Sequence, residues 1–293
     1  MYDVVIVGCG PAGLTAGLYL ARANKKVVIL EKETIGGQMS TSPLIENYPG
    51  YKAISGSELS NNMYEQATDA GCEIVIDEAL KVEKNRVIGE DGVYEGKVII
   101  LATGAKYRKL GIPKEEDFIG SGIHFCTACD GMFYKNKEVC VIGGANSAVV
   151  NALYLSDICK KVYLIYRKDK LKCEDVLLKQ IENKENVEIL YNSEVDSIIG
   201  EDEFEGIILK DGRELKLDGM FESIGMLPET KVASDLLDLE EDNYFKNDVT
   251  RTKYPNVFVI GDCISKKVRQ VATAVNDGAI AATFAINYLN EQN

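Results

Sequence analysis

The residues best suited to chemistry form one short run, Cys126-Thr127-Ala128-Cys129-Asp130-Gly131. Two thiols with two residues between them support three readings. One is half of a zinc site, but no second Cys pair follows and the chain holds a single histidine, His124, so no metal is expected. Another is two unrelated core thiols, which the polar Asp130-Gly131 beside them disfavours. In the third, the sulfurs close into a small reducible ring at the start of a helix, whose N-terminal field stabilises a thiolate. The redox dithiol is the preferred reading. Asp130 is the nearest acid able to protonate that thiolate or the group that reduces it, the alternative being a helix cap. His124 is assigned no role. The other cysteines, Cys9, Cys72, Cys140, Cys159, Cys173 and Cys263, lie in apolar or helical stretches and read mostly as packing thiols.

A second chemistry is written in glycine. Gly8-Cys9-Gly10-Pro11-Ala12-Gly13 lies between the apolar run Val4–Val7 and a helical stretch through Leu20. In such a loop Gly8 permits the tight turn, Gly10 lets the backbone approach a pyrophosphate, and Gly13 lets helix and strand pack closely. Lys26–Leu30 reads as the next strand and closes with Glu31, placed to accept hydrogen bonds from ribose hydroxyls. NAD and FAD share this fingerprint. Gly261-Asp262, after the strand Val257–Ile260, points to FAD if Asp262 bonds ribityl hydroxyls or phosphate-linked waters; a helix cap is the equal alternative.

The elements that must position these residues repeat. About 135 residues after the first unit, Glu138–Ile142 reads as a strand and Gly143-Gly144-Ala145-Asn146-Ser147-Ala148 as its turn. Val149–Leu155 follows as a helix and Lys161–Ile165 as a closing strand. Two βαβ units imply two parallel sheets. Val98–Leu101 is a buried strand ending in Ala102-Thr103-Gly104, Gly111-Ile112-Pro113 reads as a linker, and the second unit ends near Gly225–Pro228. The strand Val257–Ile260 then completes the first sheet before an alanine-rich helix. The expected fold is α/β, with two Rossmann-like dinucleotide-binding domains, the second inserted in the first. Residues 1–111 and 229–293 form the FAD-binding domain, and 112–228 an NAD(P)H-binding domain that carries the Cys-x-x-Cys centre.

Composition sets limits. A net charge of −13 and a pI near 4.8 argue against nucleic acid and against an anionic membrane surface. No run approaches the roughly 18 apolar residues of a membrane span. The N-terminus enters a strand at once with no basic leader, so a cytoplasmic location is expected.

Taken together, these residues resemble the low-molecular-weight thioredoxin reductases over essentially the whole chain. The resemblance is carried by Gly8–Gly13, Gly36-Gly37-Gln38, Asn47-Tyr48-Pro49-Gly50, Ala102-Thr103-Gly104, Cys126–Gly131, Gly261-Asp262, Arg269-Gln270 and Ala272-Thr273-Ala274. It implies FAD held by Gly8, Gly10, Pro11, Ala12, Gly13, Glu31, Lys32, Gly37, Gln38, Asn47 and Ala102-Thr103-Gly104. Gly261, Asp262, Arg269, Gln270, Val271 and Ala272 complete that set. It also implies that Cys129 faces the flavin while Cys126 attacks the disulfide of thioredoxin, that the protein is a homodimer, and that its second domain rotates.

The electron donor is where the chain departs from the family. NADPH-dependent members usually carry G-x-G-x-x-A, and the third position here is Ala145. Their His-Arg-Arg motif with a further arginine is replaced by Tyr166-Arg167-Lys168 and Lys172, which keep the charge but lose most of the bidentate forks. NADPH held by Gly143–Ala148, Tyr166, Arg167, Lys168 and Lys172 is the leading expectation. A ferredoxin-fed reductase, a dithiol oxidase of the same family, and a non-enzymatic sensor are the alternatives.

Overall fold

The computed structural model describes residues 1–292. The chain divides into two compact units, one made of Met1–Lys106 and Leu227–Asn293, the other of Tyr107–Met226. The two crossings run through short strands, β7 (Ala105–Tyr107) and β16 (Met226–Pro228).

In the first unit a parallel sheet runs in the order β3 (Glu73–Ile76), β2 (Val27–Glu31), β1 (Tyr2–Val7), β6 (Val93–Leu101), β17 (Val257–Val259). Its central strands read as unbroken apolar runs because both faces are covered. Val4 and Ile6 pack on one side with the helices α1 (Pro11–Arg22) and α7 (Val271–Glu291), whereas Val5 and Val7 pack on the other with Phe245, Val259 and Ile264. α1 and α7 approach so closely that a Cβ on Gly278 would overlap the Ala12 carbonyl. The helix α2 (Gly56–Asp69) starts at Ser55, whose hydroxyl accepts from the Glu58 amide at 3.1 Å. β4 (Ala79–Glu83) and β5 (Arg86–Gly89) add antiparallel strands to the first half of β6. That strand is therefore longer than the predicted Val98–Leu101, its first residues lying in a partly exposed hairpin that carries no buried-strand signal.

The second unit repeats the plan. Its parallel sheet runs β11 (Val187–Leu190), β10 (Lys161–Ile165), β9 (Glu138–Ile142), β15 (Gly219–Glu222), β8 (Ile123–His124). The helices α5 (Asn146–Ser156) and α6 (Asp175–Glu182) flank it, and β12 (Val195–Ile199), β13 (Gly206–Leu209) and β14 (Glu214–Lys216) form a separate antiparallel sheet. Helix α5 starts at Asn146, three residues ahead of the predicted Val149, because the loop turns directly into the helix. The predicted linker at Gly111–Pro113 falls inside this unit. The amides of Leu110, Gly111 and Ile112 all donate to the carboxylate of Glu115, at 2.8, 2.6 and 3.2 Å, on the short helix α3 (Glu115–Phe118).

Candidate redox site and nucleotide loops

Cys126 and Cys129 form a disulfide, with their Cα atoms 5.3 Å apart. β8 delivers the chain to Cys126, which caps the single-turn helix α4 (Thr127–Asp130) in an extended conformation. Its carbonyl accepts from the amides of both Cys129, at 3.2 Å, and Asp130, at 3.0 Å, so the turn that brings the sulfurs together is closed by backbone bonds. The buried Thr127 hydroxyl donates to Asn151 Oδ1 at 2.8 Å, and Asn151 donates on to Ser223 Oγ at 2.8 Å. This bridge ties α4 to α5 and to the end of β15. Both sulfur-bearing residues are half-buried, with exposed Ala128 between them.

Asp130 is followed by a 3-10 turn, Gly131–Tyr134, and makes no side-chain cap to it. Its carboxylate instead turns to His124, whose Nδ1 lies 3.2 Å from Asp130 Oδ2; the two side chains are 5% and 13% exposed. The other ring nitrogen, Nε2, is 2.6 Å from the Tyr134 hydroxyl. Burial, and next the charge of Asp130, push the Tyr134 phenol up, so it stays protonated. His124, assigned no role from the sequence, and Tyr134, which carries no sequence signal, meet only here, because a lone histidine gives no periodic signal and only the tertiary fold sets its partners.

Of the remaining thiols, Cys9, Cys72, Cys140, Cys159 and Cys263 are buried and Cys173 is half-buried. Burial pushes Cys9 and Cys72 up to about 12 and Cys159 and Cys263 to about 11, which keeps them in the unreactive thiol form. Among the described residues no group of three or more His, Cys, Asp or Glu side chains is placed to hold a metal ion. No helix among them is long and apolar enough to cross a membrane.

In the first unit the glycine loop links β1 to α1. Gly8 has φ +105°, and a Cβ there would overlap the Ala102 carbonyl; one on Gly13 would overlap the carbonyl of Gly8. Gly10 differs, since a Cβ on it would meet nothing within 4 Å. The loop thus leaves open space where the middle glycine bares its backbone, beside the N-terminus of α1, as a pyrophosphate requires. Glu31 is held by the amides of Cys9 at 2.8 Å, Lys32 at 2.9 Å and Glu33 at 3.0 Å. A Cβ on Gly37 would lie 3.5 Å from Gly10 Cα, and Gln38 donates to the Ala105 carbonyl. The loop 102–104 is joined to this cradle through the Ala102 amide, which donates to Val7 at 2.8 Å.

The late segment supplies the rest. A Cβ on Gly261 would lie 3.1 Å from Ala12 Cβ, and the Gly261 amide donates to Asp277 at 3.1 Å. Asp262 Oδ1 is buried and has only an ion pair to Lys266 Nζ, at 3.2 Å. Asn47 Nδ2 donates to Gln270 Oε1 at 3.2 Å, and Gln270 with Thr273 caps α7 just ahead of Val271 and Ala272. The Arg269 guanidinium stacks on Tyr244, 4.7 Å from its centroid, and its Nη1 donates to the Lys266 carbonyl at 3.0 Å. A buried carboxylate oxygen lacking a full hydrogen bond and a vacant strip over Gly10 fit the hydroxyl- and phosphate-rich FAD.

The second loop has the same backbone plan. Gly143 has φ +143°, and a Cβ there would lie 2.5 Å from the Ser223 carbonyl. A Cβ on Gly144 would overlap the Tyr166 ring, which packs on the loop. Ala145 is exposed at the N-cap of α5 with φ −96° and ψ 178°. Asn146 and Glu174 exchange two hydrogen bonds, Ser147 is exposed, and Ala148 is buried. The Lys172 amide donates to the Gly144 carbonyl at 2.7 Å, which brings that residue to the loop. Arg167 and Lys168 are exposed on the segment that follows β10.

At the end of β15, beside this loop, Glu222 is 2% exposed. Burial, followed by the neighbouring Glu115, pushes its carboxyl up to about 9, so it is neutral at pH 7. It carries no sequence signal, being one acid at the end of an apolar strand.

Comparison with known proteins gives a consistent result. The pyridine nucleotide-disulphide oxidoreductase family matches residues 2–278. Thioredoxin reductase of Bacillus subtilis is 38% identical, covering 99% of this chain and 96% of that protein. Thioredoxin reductase of Treponema pallidum is also 38% identical, covering 99% and 97%. Among solved structures, thioredoxin reductase from Streptococcus pyogenes superposes with a TM-score of 0.94 at 39% identity, covering 99% of both chains. A dithiol bonded at a helix start, two glycine loops on parallel sheets and likeness at full length lead to one assignment: the chain belongs to the pyridine nucleotide-disulphide oxidoreductase family and, within it, groups with the thioredoxin reductases.

Proposed function

We propose that the protein is a thioredoxin-disulfide reductase that passes an electron pair from NADPH through FAD and the Cys126–Cys129 disulfide to thioredoxin. The observation that carries this reading is the Cys126–Cys129 bond at the start of α4, with Asp130 next in sequence. FAD, when bound, supplies a carrier that accepts two electrons from a nicotinamide and gives them to sulfur. Gly8–Gly13 and the N-terminus of α1 hold its pyrophosphate, with Glu31 placed for ribose and Asp262 for a polyol hydroxyl. Lys32, Gly37, Gln38, Asn47, Ala102–Gly104, Gly261 and Arg269–Ala272 complete the cradle. The electron pair breaks the S–S bond, and Asp130 relays a proton from solvent to the departing sulfur. The Cys126 thiolate then attacks the acceptor disulfide. Cys129 displaces the acceptor from the mixed disulfide and restores the original bond. Overall, NADPH and one proton reduce the acceptor disulfide to a dithiol.

NADPH is assigned to Gly143–Ala148, with Tyr166 on the loop and Arg167, Lys168 and Lys172 as the cationic side chains near it. The exposed methyl of Ala145 favours a second reading, in which reduced ferredoxin is the donor and the nicotinamide site is weak. One anaerobic titration separates the two: NADPH, NADH and reduced ferredoxin are added in turn while flavin absorbance is followed. Bleaching by NADPH within the turnover time is expected. Bleaching by ferredoxin alone transfers the donor assignment and leaves the dithiol reading intact. Thioredoxin reduction that survives Cys126→Ser or Cys129→Ser would end the dithiol reading.

A further inference from the structure

We propose that His124 is the positioning residue for Asp130, holding its carboxylate in the orientation from which a proton is exchanged with the cysteine pair. The proposal rests on the dithiol reading above and adds to it a residue, an atom and a tautomer.

The geometry is a short chain of three side chains. Asp130 Oδ2 lies 3.2 Å from His124 Nδ1, and His124 Nε2 lies 2.6 Å from the Tyr134 hydroxyl. An ionised carboxylate only accepts, so Nδ1 must carry a hydrogen to bond it. The Tyr134 phenol is pushed up by burial and by Asp130 and so keeps its proton, which leaves it able to donate to Nε2. One tautomer satisfies both bonds together, Nδ1–H with Nε2 as acceptor. The ring has little freedom to turn, since its centroid lies 5.3 Å from that of Tyr134 and 5.4 Å from that of Phe221, which are themselves packed edge to face. Asp218 and Cys159 are the further ionisable groups that act on Tyr134.

Such an arrangement has a purpose at a dithiol. When the S–S bond opens, one sulfur leaves with the electron pair and needs a proton; when the acceptor is attacked, the proton must return. Asp130 can serve both directions only if its carboxylate stays in place while its charge changes. The Nδ1–H donor stabilises the anion left after the proton is given, and the buried ring restricts rotation of the carboxyl. A helix-capping Asp would need none of this, and Asp130 makes no such cap.

The test uses FAD-loaded protein and two readouts. His124 is the sole histidine in the chain, so nitrogen-15 labelling of histidine gives one unambiguous ring spectrum. With the ring neutral, a proton on Nδ1 is expected in the wild type, and Tyr134→Phe should give a mixture of tautomers. A proton found only on Nε2 overturns the proposal. The second readout is the rate at which dithiothreitol opens the Cys126–Cys129 disulfide, measured by alkylating the freed thiols and weighing the protein. Asparagine can place its amide nitrogen at the position of Nδ1, whereas glutamine places it at Nε2. His124→Asn should keep the rate within about threefold of wild type, and His124→Gln should lower it about tenfold. His124→Gln combined with Asp130→Asn should be no slower than Asp130→Asn alone, because the two residues act as one unit. Equal rates for the Asn and Gln variants, or additive losses in the double variant, overturn it. Neither readout needs thioredoxin or NADPH. A wild type that fails to reduce thioredoxin would therefore sink the function proposed above while these results still decide the role of His124.

Discussion

Gly10 and Ala145 occupy the same place in two loops of the same shape. Each is the N-cap of the helix that follows, in a nearly identical extended conformation, with φ/ψ of −76°/−177° and −96°/178°. Each stands two residues after a glycine at positive φ, Gly8 or Gly143, that sits against the end of a neighbouring strand. The strand ends correspond as well: Leu101 pairs with Val7 just before the first loop, and Glu222 pairs with Ile142 just before the second. The first unit thus has a bare backbone and a buried leucine where the second has a methyl group and a buried, neutral acid. The fold demands the turn and is served equally by both loops. Only the ligand can tell a hydrogen from a methyl at a position open to solvent, so the two loops separate what folding requires from what binding requires.

Substitution at equivalent positions tests that separation. The largest effect is expected for Gly13→Ala, whose Cβ would overlap a backbone carbonyl that cannot move aside. It should cost roughly 3 kcal/mol or more in denaturant unfolding, whereas Ala148→Gly, its counterpart, should cost about 1 kcal/mol. Comparable losses at the two sites would mean that the loops are not equivalent.

Glu222→Leu makes the second strand end like the first. The native state holds a proton on Glu222 up to about pH 9, while the unfolded chain releases it near the usual value of 4.5, so wild-type stability falls as pH rises through that window. The variant should melt roughly 5 °C higher than wild type at pH 8, with the gap narrowing toward pH 5. A gap that is flat across this range would show that the acid is not neutral in the folded chain.

Gly10→Ala should unfold within about 0.5 kcal/mol of wild type yet weaken FAD binding about tenfold, because the new methyl meets no protein atom. Unchanged affinity in a fluorescence titration would remove the pyrophosphate from that loop. The smallest change is expected for Ala145→Gly, which should lower the KM for NADPH about threefold. A KM that stays put would count against an NADPH pyrophosphate at the second loop and favour the ferredoxin reading.

Much of the fold was legible because glycine punctuates it. The strands ending at Val7 and Ile142 are short apolar runs broken by residues that only a turn can use, and the return of β17 to β6 follows from one more such run. The small sheet β12–β14 was not legible, since its strands are brief and alternate weakly. At the site, Cys126, Cys129 and Asp130 declare themselves by spacing. Their supports do not: the Thr127–Asn151–Ser223 bridge and the His124–Tyr134 pair join residues from different elements, and a single polar residue in an apolar run looks the same whether it bonds a catalytic acid or a neighbour of no consequence. Pattern finds residues that act through local geometry and misses those that act through assembly.

The double crossing between units also dictates a schedule of birth. Ile99 of β6 must find Val257 of β17, and α1 must find α7, across a stretch of chain that holds the entire second unit. On a ribosome adding roughly 5–20 residues per second, the inserted unit is complete about 1.5 to 6 seconds before the last strand of its host emerges. The part of the protein made first is therefore the part finished last. During that wait it shows the unpaired edge of β6 to the cell, a vulnerability that only the closing segment removes.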